Sequence, residues 1–226
     1  MQNSENPEDG KIEASQFVRI PTRRIGVVIG KNGSNRTKIE EATQSKIIID
    51  SDTGEVEIRP TPELEDPVLL LKARDIVKAI GRGFSTNIAM NLANDDYFLE
   101  VIRLKSFVGD QYNRLKRVKS RVIGSGGKTR ASIESLTSTT LIVLGSTVSI
   151  LGKLENLGDA KEAVIKIING SDIDNVINQL EEKRRQHKIE DQSLWEETDK
   201  EKEIPEEEEE EEEKEVDPFS DSDETE

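Results

Sequence analysis

The sequence predicts an α+β protein made of two successive copies of one module, each a three-stranded sheet packed with three helices, followed by a disordered acidic tail. Three observations predict it. An apolar Val-Ile runs into Gly-x-x-Gly and then a basic, helix-forming stretch twice, once over Val28-Ile29-Gly30-Lys31-Asn32-Gly33 and once over Val122-Ile123-Gly124-Ser125-Gly126-Gly127. A constant shift of 94 superposes the glycines and also carries Arg36 onto Arg130, Ile39 onto Ile133 and Glu40 onto Glu134. Around each loop the apolar pattern gives the same order: strand, helix, loop, helix, strand, strand, helix.

In the first copy Phe17-Val18-Arg19-Ile20 reads as a short strand, with Pro21 at a turn or helix start. Ile25, Val28 and Ile29 share one face of a short helix that ends at Gly30. Ser34 is placed to cap a second helix through Thr43, with Ile39 and Ala42 inward. Lys46 to Asp50 is a strand, Asp52-Thr53-Gly54 a hairpin turn, and Glu55 to Ile58 the returning strand. Leu64 to Ile80 reads as a long helix with Leu70, Ala73, Ile76, Val77 and Ile80 on one face, and Phe84 to Asn94 as a bridging helix.

The second copy repeats this with Tyr97 to Leu104, Val118 to Ile123 approaching the loop, Lys128 to Leu136, Leu141 to Leu144, Val148 to Leu151 and Leu157 to Ile168, stopped by Asn169-Gly170. Nine residues separate Ile20 from Gly30 but nineteen separate Leu104 from Gly124, so the second copy carries an insertion, roughly Lys105 to Arg117, with Tyr112, Arg114, Lys116 and Arg117. The expected organisation is a flexible acidic N-terminus (1–15), a first module (16–83), the bridge (84–96), a second module (97–172), a C-terminal helix (173–189) and a disordered tail (190–226).

Composition bounds the function. The chain has 226 residues and no cysteine, which excludes disulfides and Cys-based metal sites and fits a reducing, cytoplasmic setting. Its longest apolar runs, Val68 to Leu71 and Leu141 to Leu144, are too short to span a bilayer, and the polar start Met1 to Gly10 carries no secretory signal. The net charge of −15 misleads, because Glu190 to Glu226 contributes −18 and Met1 to Ser15 contributes −3, leaving Gln16 to Ile189 at +6. A basic folded part with acidic ends points towards nucleic acid.

A short helix, Gly-x-x-Gly and second helix suit a phosphate. Glycines let another backbone approach closely and adopt φ > 0, and the amides opening the second helix carry the positive end of its dipole. Lys31, Asn32, Arg36 and Lys38 supply charge and donors in the first copy, Lys128 and Arg130 in the second. The apolar strands (Ile47 to Ile49, Leu141 to Val143) then form the far wall of a groove where bases lie on aliphatic carbon, with phosphates on the loop. The candidate RNA-binding residues are therefore Ile29, Gly30, Lys31, Asn32, Gly33, Arg36, Lys38 and Ile48 in the first copy, and Arg121, Ile123, Gly124, Ser125, Gly126, Gly127, Lys128 and Arg130 in the second.

These residues resemble a tandem KH-domain protein of type I topology. More narrowly, the chain resembles the archaeal members of the Dim/Pno (partner of Nob-one) family of ribosomal RNA processing proteins. Arg19-Ile20-Pro21, Ile29-Gly30-Lys31-Asn32-Gly33, Ile49-Asp50-Ser51-Asp52-Thr53-Gly54-Glu55-Val56, Lys72 to Phe84, and Arg121-Val122-Ile123-Gly124 with Lys128-Thr129-Arg130 carry the resemblance, which spans about Gln16 to Lys188. It implies binding of small-subunit (16S) rRNA near its 3′ end during maturation, cooperation with the endonuclease that trims that end, and contact with an initiation factor subunit. Eukaryotic relatives have lost the first Gly-x-x-Gly, whereas this chain keeps both. The Ser125-Gly126 tip carries less charge than Lys31-Asn32, so the two loops are not equivalent.

Other chemistries fit less well. A P-loop ending at Gly127-Lys128-Thr129 needs glycine at position 122, which is Val122. Glu40 and Glu134 are expected on exposed helix faces, and His187, the only histidine, in a solvated Arg/Lys-rich helix end. No triad, metal cluster or cofactor box is present, so a binder without cofactor rather than an enzyme is expected. Two alternatives stand beside the rRNA reading: a generic KH RNA regulator, and a scaffold whose first module mainly binds protein. The tail, with its unbroken acidic run Glu206 to Glu213, is a solubilising end, a docking segment for a basic partner, or an RNA mimic.

Overall fold

A computed structural model describes residues 15–202, with side chains as far as residue 189. The expectations for the acidic N-terminus and for the acidic run Glu206 to Glu213 lie outside that range. The chain divides into a unit ending at Glu181 and another from Glu182.

Both modules lie in the first unit. The first comprises β1 (Gln16–Arg19), α1 (Thr22–Ile29), α2 (Ser34–Thr43), β2 (Ser45–Ile49), β3 (Glu55–Pro60) and α3 (Val68–Gly81). After α4 (Thr86–Ala89), the second comprises β4 (Tyr97–Arg103), α5 (Lys105–Val108), α6 (Tyr112–Ile123), α7 (Lys128–Thr137), β5 (Thr140–Leu144), β6 (Thr147–Lys153) and α8 (Leu154–Ile168). Each sheet is antiparallel, ordered β1-β3-β2 and β4-β6-β5, so the first strand pairs with the last and the middle strand lies at an edge. The helices cover one face of each sheet.

Local chemistry explains the elements. The β2–β3 hairpin is closed by Asp50, whose carboxylate accepts the amides of Asp52 and Thr53 and the Thr53 hydroxyl, and these bonds hold its carboxyl below the usual carboxylate range. Gly54 completes the turn at φ +75, where a Cβ would stand 2.2 Å from the Ile20 carbonyl oxygen. Both long helices end in paired bonds of the Schellman type: Phe84 N–H to Ala79 and Gly83 N–H to Ile80, then Ser171 N–H to Lys166 and Gly170 N–H to Ile167.

Several expectations shift. The long helix starts at Val68 rather than Leu64: Pro67 precedes its first turn, where a missing N–H does no harm, and Leu64 donates its N–H to Thr61 in a turn. Ser34 does not cap α2, because Gly33, in the left-handed region, holds that position and no side chain bonds there. Ala42 is exposed, and Thr43 takes its inward place, donating its hydroxyl to the Ile39 carbonyl. The bridge is one turn of α-helix, capped by Ser85 accepting from Ile88 N–H, followed by a 3-10 turn over Met90–Ala93. The insertion in the second copy is α5 plus an extra turn on α6, which has 12 residues against 8 in α1. Finally, α9 (Ile173–Lys202) runs past residue 189. Its Glu, Lys, Arg and Gln residues are strong helix formers despite the loss of apolar content, and Arg185 pairs with Glu182 in the second unit.

The two cores meet. The first, around Val28, Ile39, Ile47, Ile58, Ile76, Ile80 and Phe84, also takes in Leu151 of β6, with Tyr97, Leu99 and Ile142 packed against it. The second holds Leu104, Val122, Ile133, Leu141, Ile150, Val164 and Ile167, and receives Val176 and Leu180 of α9. Leu99, Ile142 and Leu151 lie on the sheet face away from the helices of their own module, so the end of the first module covers that face. Gly83 marks the close approach, since a Cβ there would lie 2.8 Å from Ile142 Cγ2. The corresponding face of the first sheet is open, with Phe17 59% and Ile48 42% exposed.

Ser149 sits on the covered face, fully buried, and its hydroxyl has no hydrogen-bond partner among the described residues. Ser149→Ala is therefore expected to hold or raise stability, by about 0.5–1 kcal/mol, because it removes a desolvated hydroxyl. A urea-unfolding midpoint that falls instead would show that the hydroxyl makes a bond in the folded protein.

Candidate nucleic-acid interface

The two glycine loops have the same backbone. α1 ends at Gly30 (φ 74, ψ 179) and α6 at Gly124 (φ 76, ψ 176), each followed by a single 3-10 turn. Within that turn Asn32 (φ 54) and Gly126 (φ 58) match, and Gly33 (φ 79) and Gly127 (φ 82) open α2 and α7. The first glycine is required by space. A Cβ on Gly30 would lie 2.8 Å from the Asn35 backbone nitrogen, and one on Gly124 would lie 2.2 Å from Thr129 Oγ1. The second glycine of each loop, Gly33 or Gly127, has nothing within 4 Å of such an atom, so it is needed for its conformation and leaves open surface.

Neither α2 nor α7 has an acidic residue in its first turn or a side chain capping it. Both helix starts thus present positive dipole ends beside open glycine backbone, the arrangement that receives an anion. Lys31, Asn32 and Lys38 are exposed around the first loop, and Ser125, Gly126 and Lys128 around the second. Ile29 and Ile123 are half-buried at the loop entrances.

Arg36 and Arg130 have a more constrained place than expected. Each lies beside the glutamate one turn on, Arg36 Nε 3.7 Å from Glu40 and Arg130 Nε 3.5 Å from Glu134, with the side chains 42% and 43% exposed. The same glutamates accept amides of the edge strands, Ile47 N–H at 2.8 Å and Leu141 N–H at 2.7 Å. Glu40 and Glu134 are therefore half-buried braces between helix and edge strand, not solvated surface acids.

Two candidates move away from the interface. Arg121 donates to the carbonyls of Ile167 and Ser171 at the end of α8, so it clamps the module together. In the first module Arg24 does this job, donating to Ile80 and Phe84 at 2.9 and 2.8 Å. A cation suits the negative end of the helix it grips. Ile48 points to the outer sheet face, because Ile47 and Ile49, opposite the buried Ile58 and Val56, face the helices. Ile49, packed with Val27 and Ile29 against the first core, takes the groove position, and Val143 is its counterpart in β5. One residue with no motif of its own joins the surface: exposed Arg23, which the shift of 94 carries to exposed Arg117.

Among the described residues no group of three or more His, Asp or Glu side chains is placed to hold a metal ion, and no helix is long and apolar enough to cross a membrane.

Residues 15–72 match the family described as the KH domain, and residues 98–185 match the eukaryotic type KH-domain (KH-domain type I). A KH domain-containing protein of Methanocaldococcus jannaschii is 41% identical over 186 residues, 82% of this chain and 81% of that protein. The chain belongs to the Dim/Pno family. The pre-rRNA-processing protein pno1 of Schizosaccharomyces pombe is 35% identical over 117 residues, 51% of this chain, and the chain spans only 48% of that relative. A crystal structure of the a/eIF2alpha-aDim2p-rRNA complex from Pyrococcus horikoshii superposes with a TM-score of 0.73 at 42% identity, covering 78% of this chain and 97% of that one. Both glycine loops of this Dim/Pno chain are thus placed within or beside regions matched as KH modules, and the residues beyond 185 lie outside both matches.

Proposed function

We propose that the protein holds single-stranded RNA of the small ribosomal subunit precursor, at the 3′ end of 16S rRNA, with both Gly-x-x-Gly loops. It acts as an RNA-binding protein of rRNA processing, in the cytoplasm, by binding and presenting the strand rather than by catalysis. The observation that carries this is the doubled loop itself: two superposable backbones, each with an uncapped helix start, exposed donors and a half-buried isoleucine beside it. Phosphates rest on the glycines and bases lie towards Ile29 and Ile49, or Ile123 and Val143. A pre-rRNA-processing relative and a structural neighbour complexed with rRNA support the choice of RNA. The same neighbour's a/eIF2alpha supports an initiation factor subunit as a protein partner, and the endonuclease that trims the rRNA end is a further proposed partner.

One observation favours a second role for the first module as a protein scaffold. Its outer sheet face exposes Phe17 and Ile48 while the matching face of the second module is covered.

Binding is tested with an oligonucleotide of the 16S rRNA 3′ end against single strands of scrambled sequence, over a range of salt. The expected result is preference for the 3′ end by about tenfold and a slope of log affinity against log salt near −3, from about four phosphate contacts. Equal affinity for all strands at the same slope would make this a generic KH binder, and a flat salt response would remove the phosphate contacts.

A further inference from the structure

The first turn of α6 has no counterpart in the first module, and the charge of the whole helix is unbalanced. Arg114, Lys116, Arg117 and Lys119 stand on one helix without an acidic residue, and none of them forms an ion pair among the described residues. Arg121 fixes how this helix is turned, because it faces the end of α8. Val118 and Val122 point into the core. On the side away from Arg121, the spacing i, i+4, i+7, i+11 aligns Tyr112, Lys116, Lys119 and Ile123 in one row. That row runs directly into Gly124. Tyr112 at its far end is 73% exposed, Lys116 is exposed, and Lys119 is half-buried.

We propose that this row is a second RNA-binding surface, which takes the single strand flanking the nucleotides held at the Gly124 loop. Lys116 and Lys119 neutralise its phosphates and Tyr112 stacks on an unpaired base. The inference rests on the loop being a phosphate site. An unpaired row of cations capped by an exposed ring is what a flexible polyanion with flat bases selects, since stacking and charge act together on single strands. From Tyr112 to Gly124 the helix rises about 18 Å, room for several further nucleotides. The row also supplies the charge that the neutral Ser125-Gly126 tip lacks.

The test uses the full chain with the first loop silenced by Lys31→Asp/Asn32→Asp, and fluorescence anisotropy with two kinds of strand. One is a four-nucleotide strand, the length a KH loop clamps. The others add about three nucleotides to its 5′ or its 3′ side. Extension on one side is expected to tighten binding about tenfold. The triple change Tyr112→Ala/Lys116→Gln/Lys119→Gln should abolish that gain, leave four-nucleotide binding within about twofold, and reduce the salt slope on the long strand by about 1.4 for two lost lysines. The inference is overturned if extension on neither side tightens binding, or if the gain survives the triple change. A four-nucleotide affinity that ignores Ser125→Asp/Gly126→Asp would instead overturn the loop reading beneath it.

Discussion

Gly124→Ala is expected to destabilise the protein by about 3 kcal/mol or more, while Gly127→Ala, three residues on, costs about 1 kcal/mol. The backbone at Gly124 lies at φ 76 and ψ 176, a region that only glycine occupies at ease. Any Cβ there would also stand 2.2 Å from Thr129 Oγ1 and 2.7 Å from the Thr129 backbone nitrogen, and Thr129 is buried. Relief needs α7 to move away from α6, which opens the second core at Val122 and Ile133. Gly127 has φ 82 and ψ 11, the ordinary left-handed region, and faces open space, so alanine meets only local strain. Gly30→Ala should behave like Gly124→Ala, since its Cβ would meet Asn35, whose side chain holds the Val27 carbonyl at 2.8 Å. Urea unfolding followed by circular dichroism separates the cases. A Gly124→Ala protein within 1 kcal/mol of wild type would mean that the loop backbone differs from the one described.

Much of this was legible in the sequence, for definite reasons. Glycine repeats at a fixed shift because backbone shape demands it, so Gly30 with Gly124 and Gly33 with Gly127 exposed the duplication and the loop together. The Asp52-Thr53-Gly54 turn was equally plain, because its chemistry is local, although the role of Asp50 in closing it was not. What failed depended on direction. Lys46-Ile47-Ile48-Ile49 is apolar at three successive positions, so period-two alternation does not say which isoleucines face the helices, and a slip of one residue exchanges Ile48 for Ile49. Arg121 reads as one more cation beside a glycine loop. Only packing shows that it faces the carbonyls ending α8, while Lys116 and Lys119, five and two residues earlier, face elsewhere. Glu40 and Glu134 likewise look like surface acids until the edge strand brings a backbone amide to them.

The second large effect concerns binding. Lys31→Asp/Asn32→Asp changes the first tip by three charges, and Ser125→Asp/Gly126→Asp changes the second by two, at the points where phosphates are proposed to rest. Both pairs suit the fold. Asn32 already occupies the left-handed position that Gly126 matches, and Asp tolerates that region as Asn does. The tips are exposed and contact neither core. Loss of binding in these proteins would therefore report on the interface rather than on folding.

The most direct measurement is the affinity of the full chain and of both tip variants for an oligonucleotide of the 16S rRNA 3′ end, at two salt concentrations. Each variant is predicted to bind at least about tenfold more weakly at low salt, with the deficit narrowing as salt rises, because repulsion at a phosphate site is screened. Loss in only one variant would assign RNA to that module and a scaffold role to the other. Unchanged affinity in both, at both salts, would contradict the claim that these glycine loops hold RNA.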